Sequence, residues 1–187
     1  MQPRTIFFIG KPGCGKGTQA KLLAQETGWQ IVSAGDQFRA IALEETPVGH
    51  KIKAQMEAGD LAPHWFAMYL YLKSLFAADE GADIIFDGFN RELSEAVLVV
   101  DSLAWLGRPF NIVNLVISDE EVLARLAKRK EIEGRADDNV VEERLKEFHQ
   151  HTDPAIAMFR DAGVLIDVNG DQGIEAISAD IRSALGV

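Results

Sequence analysis

Near the start of the chain, Gly10-Lys11-Pro12-Gly13-Cys14-Gly15-Lys16-Gly17-Thr18 has the residue types and spacing to hold a polyphosphate. Glycines let successive N–H groups point inward without Cβ clashes, which makes an anion nest. A helix beginning after the loop adds its positive N-terminal end. Lys16 then serves as a mobile point charge for the outer phosphates. Further along, Asp87 closes the apolar run Asp83-Ile84-Ile85-Phe86, where a strand-end carboxylate beside such a loop holds Mg²⁺ through water. Arg125 and Arg129 lie on one helix face at a spacing where like charges repel by a few tenths of a kcal/mol, roughly, unless an anion is shared. Arg135 and Arg144 follow them. Cys14 sits inside the loop and reads as a small residue that fits, ahead of a reactive thiol beside a helix N-terminus.

The elements that must position these groups alternate between strand and helix, which implies α/β architecture with a parallel sheet covered on both faces. Strands are expected at Thr5–Ile9, Gln30–Ser33, Asp83–Asp87, Asn111–Ser118 and Val164–Val168. Helices are expected at Gly17–Glu26 and Gly173–Leu185. The stretch 36–82 reads as helices broken at Pro47, Gly49, Gly59 and Pro63, more than one crossover needs, and so marks an insertion. Ser118-Asp119 is an N-cap, and a later helix is expected to begin near Asp137-Asp138 and to kink or end at Pro154. Between them the polar segment Lys130–Arg135 is short.

The 187 residues suit one domain, and the apolar share of 47% is enough for a sizeable core. A net charge of −10 repels nucleic-acid backbones, so general DNA or RNA binding is not expected. The single cysteine excludes an intrachain disulfide and a zinc site built on several cysteines. The run Ile6-Phe7-Phe8-Ile9 is too short for a signal-peptide core or a membrane span, which leaves a cytoplasmic setting as the default. His149 and His151, two apart on a helix, diverge and read as ordinary polar residues.

GKPGCGKGTQ fits the P-loop spacing, with Gly17 between Lys16 and Thr18, and resembles the phosphate loop of adenylate kinases and their nucleoside-monophosphate relatives. Val32–Arg39 resembles the family's acceptor segment, Asp87-Gly88-Phe89-Asn90-Arg91 its D-G-F-P-R motif, and EGRADDN the lid of its short-lid members. The resemblance runs from Ile6 to Leu185. It implies a P-loop kinase fold of five parallel strands flanked by helices, a single domain over 1–187, an acceptor-binding insertion at 33–62 and a short lid at 128–137.

By the same resemblance, Gly13, Cys14, Gly15, Lys16, Gly17, Thr18, Arg125 and Gln172 bind ATP, with Arg125 stacked on its base. Ala34, Arg39, Asp60, Leu61, Ala62, Gly88, Phe89, Asn90, Arg91 and Glu95 bind the acceptor. Lys16, Arg91, Arg129, Arg135 and Arg144 surround the phosphate in transit, and Asp87 holds Mg²⁺ through water. Arg39, which spacing alone would leave as a surface helix arginine, takes the acceptor's α-phosphate, and Met56 packs either on the base or in the core. The expected reaction is γ-phosphoryl transfer from Mg-ATP to AMP by a monomer whose partners are nucleotides, with no membrane or nucleic acid. Three departures bear on the acceptor. Asn90 replaces proline, Glu95 replaces glutamine, and Ala34 replaces threonine as in uridylate/cytidylate kinases. A glutamine amide accepts from adenine N6 and donates to N1, whereas an ionised glutamate only accepts. A CMP, UMP or GMP kinase, a hydrolase without an acceptor and a catalytically weak binding module therefore remain as alternatives.

Overall fold

Strand β1 (Thr5–Gly10) is buried along its whole length, because both of its neighbours and both helical layers cover it. The computed structural model describes residues 4–133 and 141–187, apart from the side chains of 129–133. Within it, β1, β2 (Gln30–Ser33), β3 (Ile84–Asp87), β4 (Phe110–Val116) and β5 (Leu165–Asn169) form a five-stranded parallel sheet in the order β2-β3-β1-β4-β5. Alternate side chains of β1 enter opposite cores. Phe7 and Ile9 join Ile84, Phe86 and Ile112 on one face. Ile6 and Phe8 join Ile85, Val113 and Leu115 on the other.

The first face is closed by helices α4 (His64–Phe76), α5 (Leu93–Trp105) and α8 (Asp153–Asp161). It holds an aromatic cluster in which Phe7 stacks on Phe86 at 5.0 Å and Tyr71 meets Phe86 edge-on at 5.1 Å. The Tyr71 hydroxyl is not orphaned, since it lies 3.0 Å from Ser102 Oγ, and burial pushes its pKa up to about 12. The second face is closed by α1 (Lys16–Thr27), α6 (Asp119–Glu133) and α9 (Ile174–Leu185).

Strand ends differ from expectation by a residue or two for local reasons. β4 stops at Val116, and Ser118 instead caps α6, its Oγ accepting from Glu121 N–H at 3.1 Å. Pro154 lies in the first turn of α8. Before it, α7 (Val141–Glu147) passes through a π-helical turn, Phe148–Thr152. The expected helix start near Asp137-Asp138, residues 134–137 of the expected lid and the side chains of 129–133 lie outside the described residues.

Between β2 and α4 the chain forms α2 (Ala34–Ala42) and α3 (Pro47–Ala58), within the stretch expected to carry an insertion. Ser33 Oγ accepts from Asp36 N–H, and Thr46 Oγ1 accepts from Gly49 N–H at 3.0 Å, so each helix has its N-cap. Gly59, with φ 84°, ends α3 as expected. Gly49 is a correction: it lies inside α3 and breaks nothing. A Cβ there would stand 2.2 Å from the carbonyl oxygen of Glu44 and 2.7 Å from that of Ile41, so Gly49 is what lets α3 close on the end of α2. Gly49→Ala should destabilise the protein by roughly 1–3 kcal/mol, measured by urea unfolding, because backbone must move to admit the methyl group.

Candidate active site

The carboxyl ends of β1, β3 and β2 deliver Gly10, Asp87 and Ser33 to one edge of the sheet, where ligands bind in open α/β folds. From β1 the chain enters the glycine-rich loop and then α1, whose N-cap is Gly15. Lys16 folds back over the loop, and its ammonium donates to the carbonyls of Gly10 and Lys11, both at 2.7 Å. Burial lowers the Lys16 pKa, while Cys14 and Asp87 act against that shift. Burial likewise raises Asp87, against the attraction of Lys16 and then Arg91. Gly17 now has a reason. A Cβ on it would stand 3.3 Å from Asp87 Oδ2, so glycine straight after the lysine leaves room at that carboxylate.

A cleft of about 440 Å³ joins this loop to the insertion. Of the residues expected in the donor half, Gly13, Gly15, Lys16, Gly17, Thr18, Arg125 and Arg144 line it. Of the acceptor half, Arg39, Asp60, Leu61, Ala62, Gly88, Phe89, Arg91 and Glu95 do, with Asp87 between. Cys14, Ala34, Asn90 and Gln172 are not in its wall. Cys14 is fully buried with Sγ 3.5 Å from Lys16 Nζ, and Ala34 is a buried first residue of α2. The Gln172 amide donates to Asn169 O and to Asp180. The Arg129 side chain and Arg135 lie outside the described residues.

Arg39, Arg91 and Arg125 are each held by a neighbour. Arg39 pairs with Asp36 at 2.5 Å one turn earlier and lies against Gly35, and this pairing, with burial opposing it, lowers the Asp36 pKa. Arg91 Nε donates to Gly88 O at 2.7 Å, and a Cβ on Gly88 would come 3.0 Å from the same guanidinium. Arg125 pairs with Glu121 at 2.6 Å and donates to Gly170 O at 2.9 Å and Cys14 O at 3.4 Å, tying α6 to the loop and to the turn after β5. Such contacts fix the direction of planar cations whose forked donors match the geometry of phosphate and carboxylate oxygens.

Glu95 has a second task that its comparison with glutamine did not reveal. Its Oε2 accepts from Arg91 N–H at 2.7 Å, so it reaches back over the first turn of α5, much as the acidic residue of a capping box does. It is 3% exposed, and burial raises its pKa to about 7, against the stabilising hydrogen bond from Arg91. Thr152 was not anticipated either. Its hydroxyl donates to the Arg91 carbonyl at 2.9 Å from across the cleft, a contact between residues 61 apart in sequence that no local pattern signals.

Asn90 adopts φ 64° and is fully buried, with neither amide atom hydrogen-bonded among the described residues. Asparagine tolerates this left-handed conformation, but proline is held near −65° and cannot adopt it. The backbone of this loop is thus incompatible with the proline of D-G-F-P-R. Asn90→Pro should cost about 2–4 kcal/mol in urea unfolding, whereas Asn90→Gly should stay within about 1 kcal/mol of the parent.

The family model described as "Adenylate kinase" matches residues 8–164. An adenylate kinase of Thermus thermophilus is 37% identical over 98% of both chains. One from Thermobifida fusca is 36% identical over 96% of this chain and 97% of its own, and adenylate kinase 1 of a Nostoc species is 35% identical over 97% and 98%. With a strand, glycine loop and lysine facing Arg39 and Arg91 in one cleft, and with that similarity extending over nearly all its length, this chain belongs to the adenylate kinase family of phosphotransferases.

Proposed function

We propose that the protein transfers the γ-phosphoryl group of ATP to AMP, yielding two molecules of ADP. One observation carries the reading: a single cleft is lined at one end by Lys16 and its loop and at the other by Arg39, Asp60–Ala62 and Glu95, with Asp87 and Arg91 in the same wall. ATP takes the loop, its outer phosphates replacing the Gly10 and Lys11 carbonyls as partners of Lys16. AMP takes the insertion, with its phosphate on Arg39 and Arg91 and its base near Asp60, Leu61, Ala62 and Glu95. An oxygen of the AMP phosphate attacks the γ-phosphorus in line, and the bridging oxygen leaves with ADP. The attacking group is already an anion, so no general base is needed. The transition state is loose, with charge on the equatorial oxygens, and the cations stabilise it electrostatically. The residues that flank both nucleotides come from one chain, so a monomer suffices. No helix among the described residues is long and apolar enough to cross a membrane.

Magnesium fits this site as a substrate-borne ion. Among the described residues no cluster of three or more acidic, histidine or cysteine side chains forms a metal cage. Mg²⁺ commonly uses one carboxylate, waters and the substrate's phosphates instead. Asp87 offers that carboxylate, and its charged form, disfavoured by burial, is the one a cation favours. When bound, Mg²⁺ would neutralise β- and γ-phosphate charge; Asp87 and Thr18 would hold it, directly or through water.

Incubation with Mg-ATP and AMP, CMP, UMP or GMP in turn, with ADP as the readout, should give the fastest turnover with AMP. Preference for another monophosphate, ADP release without an acceptor, or no turnover would overturn the assignment in favour of a different kinase, a hydrolase or a binding module respectively. Glu95 supplies a second measurement. An acid whose pKa is raised to about 7 is neutral below that pH and can then donate to adenine N1, a bond its ionised form cannot make. The KM for AMP should rise as pH climbs through about 7 in the parent and be flatter in Glu95→Gln, whose amide donates at every pH. Parallel pH profiles would remove Glu95 from the base site.

A further inference from the structure

A chain of alternating charges runs outside the cleft and ends on the loop that holds Lys16. Asp153, the first residue of α8, lies 2.8 Å from His149 Nδ1. His149, in the π-helical turn, places Nε2 3.1 Å from Asp119, the first residue of α6. Asp119 in turn pairs with Lys11 at 2.5 Å, and Lys11 also donates to Ile117 O at 2.9 Å. The Lys11 carbonyl is one of the two that receive the Lys16 ammonium. Four side chains from the loop, α6, the π-helical turn and α8 are therefore joined in sequence to the catalytic lysine's own acceptor.

We propose that His149, acting through Asp119 and Lys11, is a positioning residue that sets the phosphate loop for ATP and works only while its imidazole carries a proton. The proposal rests on the assignment of the loop as the donor site. Only the imidazolium has two N–H donors, so only it can bond both carboxylates. A neutral ring serves one and turns a lone pair toward the other. With the proton, Lys11, Asp119, His149 and Asp153 sum to zero charge. Without it they sum to −1 beside a loop that must receive a polyanion. Both consequences weaken ATP binding as pH rises.

The surroundings agree in sign. Hydrogen bonds to Asp153 and Asp119 raise the His149 pKa, so the ion pairs are fully formed below the ordinary histidine range and are lost as pH rises through the elevated value. Asp119 is lowered, first by its bond to Lys11. The other charges nearby are Glu120, beside Asp119 on α6, and Glu147 on α7, which faces His151 at 3.8 Å rather than His149.

The test is the affinity for Mg-ATP by titration calorimetry from pH 6.5 to 9, on the whole chain, for the parent, His149→Gln and His149→Lys, with melting temperatures alongside. All three proteins see the same substrate ionisations, so differences between their profiles belong to residue 149. The parent should lose about two- to fivefold in affinity across the titration, the size expected of a partly exposed ion pair. His149→Gln should show the weaker affinity at every pH, and His149→Lys should keep the tighter one at high pH. Equal pH profiles in parent and His149→Gln would overturn the proposal. Equal losses in both variants would do so too, since they would mark shape rather than charge, as would a change in melting temperature with ATP affinity untouched. An absence of ATP binding in the parent would instead overturn the donor-site assignment itself.

Discussion

A partly buried ammonium held by two backbone carbonyls is the interaction around which this molecule is arranged. Lys16 lies in a loop whose N–H groups suit an anion and whose carbonyls suit a cation, and it is bonded to the latter. That arrangement needs a rigid base, because a loop of glycines has little shape of its own. Strand β1 supplies the base by being buried on every side and paired in register with β3 and β4. The same pairing puts Phe8 beside Asp87, so the carboxylate arrives next to the lysine by the geometry of the sheet.

Burial then sets the electrostatics. Lys16 and Asp87 are pushed toward their neutral forms by desolvation and drawn back toward charge by each other. Arg39, Arg91 and Arg125 rest on Asp36, Gly88 O and Gly170 O, directional acceptors that keep each side chain in place. Catalysis by charge stabilisation depends on that placement being made before the substrate arrives.

Two departures from the family pattern have different structural meanings. Asn90 changes backbone: its positive φ and unpaired buried amide show a loop built another way at the position of a proline. Glu95 changes chemistry. It holds Arg91 through the main chain while burial brings its titration close to neutrality, so one residue joins loop geometry to proton state.

The sequence alone determined the sheet and the glycine loop that follows its first strand. Runs such as Ile6–Ile9 and Ile84–Phe86 are apolar on both faces, as a strand covered on both sides requires, and Gly10–Thr18 has the spacing of a phosphate cradle. These features are local, so they are legible in order along the chain. Tertiary structure decided whatever depends on contact between distant segments. Gly49 looked like a helix break and proved to be a point of close approach to the carbonyls of Ile41, in the last turn of α2, and of Glu44, just past its end. Thr152 holds Arg91, and His149 reaches Asp119, across separations that periodicity cannot encode. Glu95's burial came from the fold as well, and with it the shift that alters what a carboxyl group can donate, since a residue's solvent exposure is set by neighbours that its own stretch of sequence does not name.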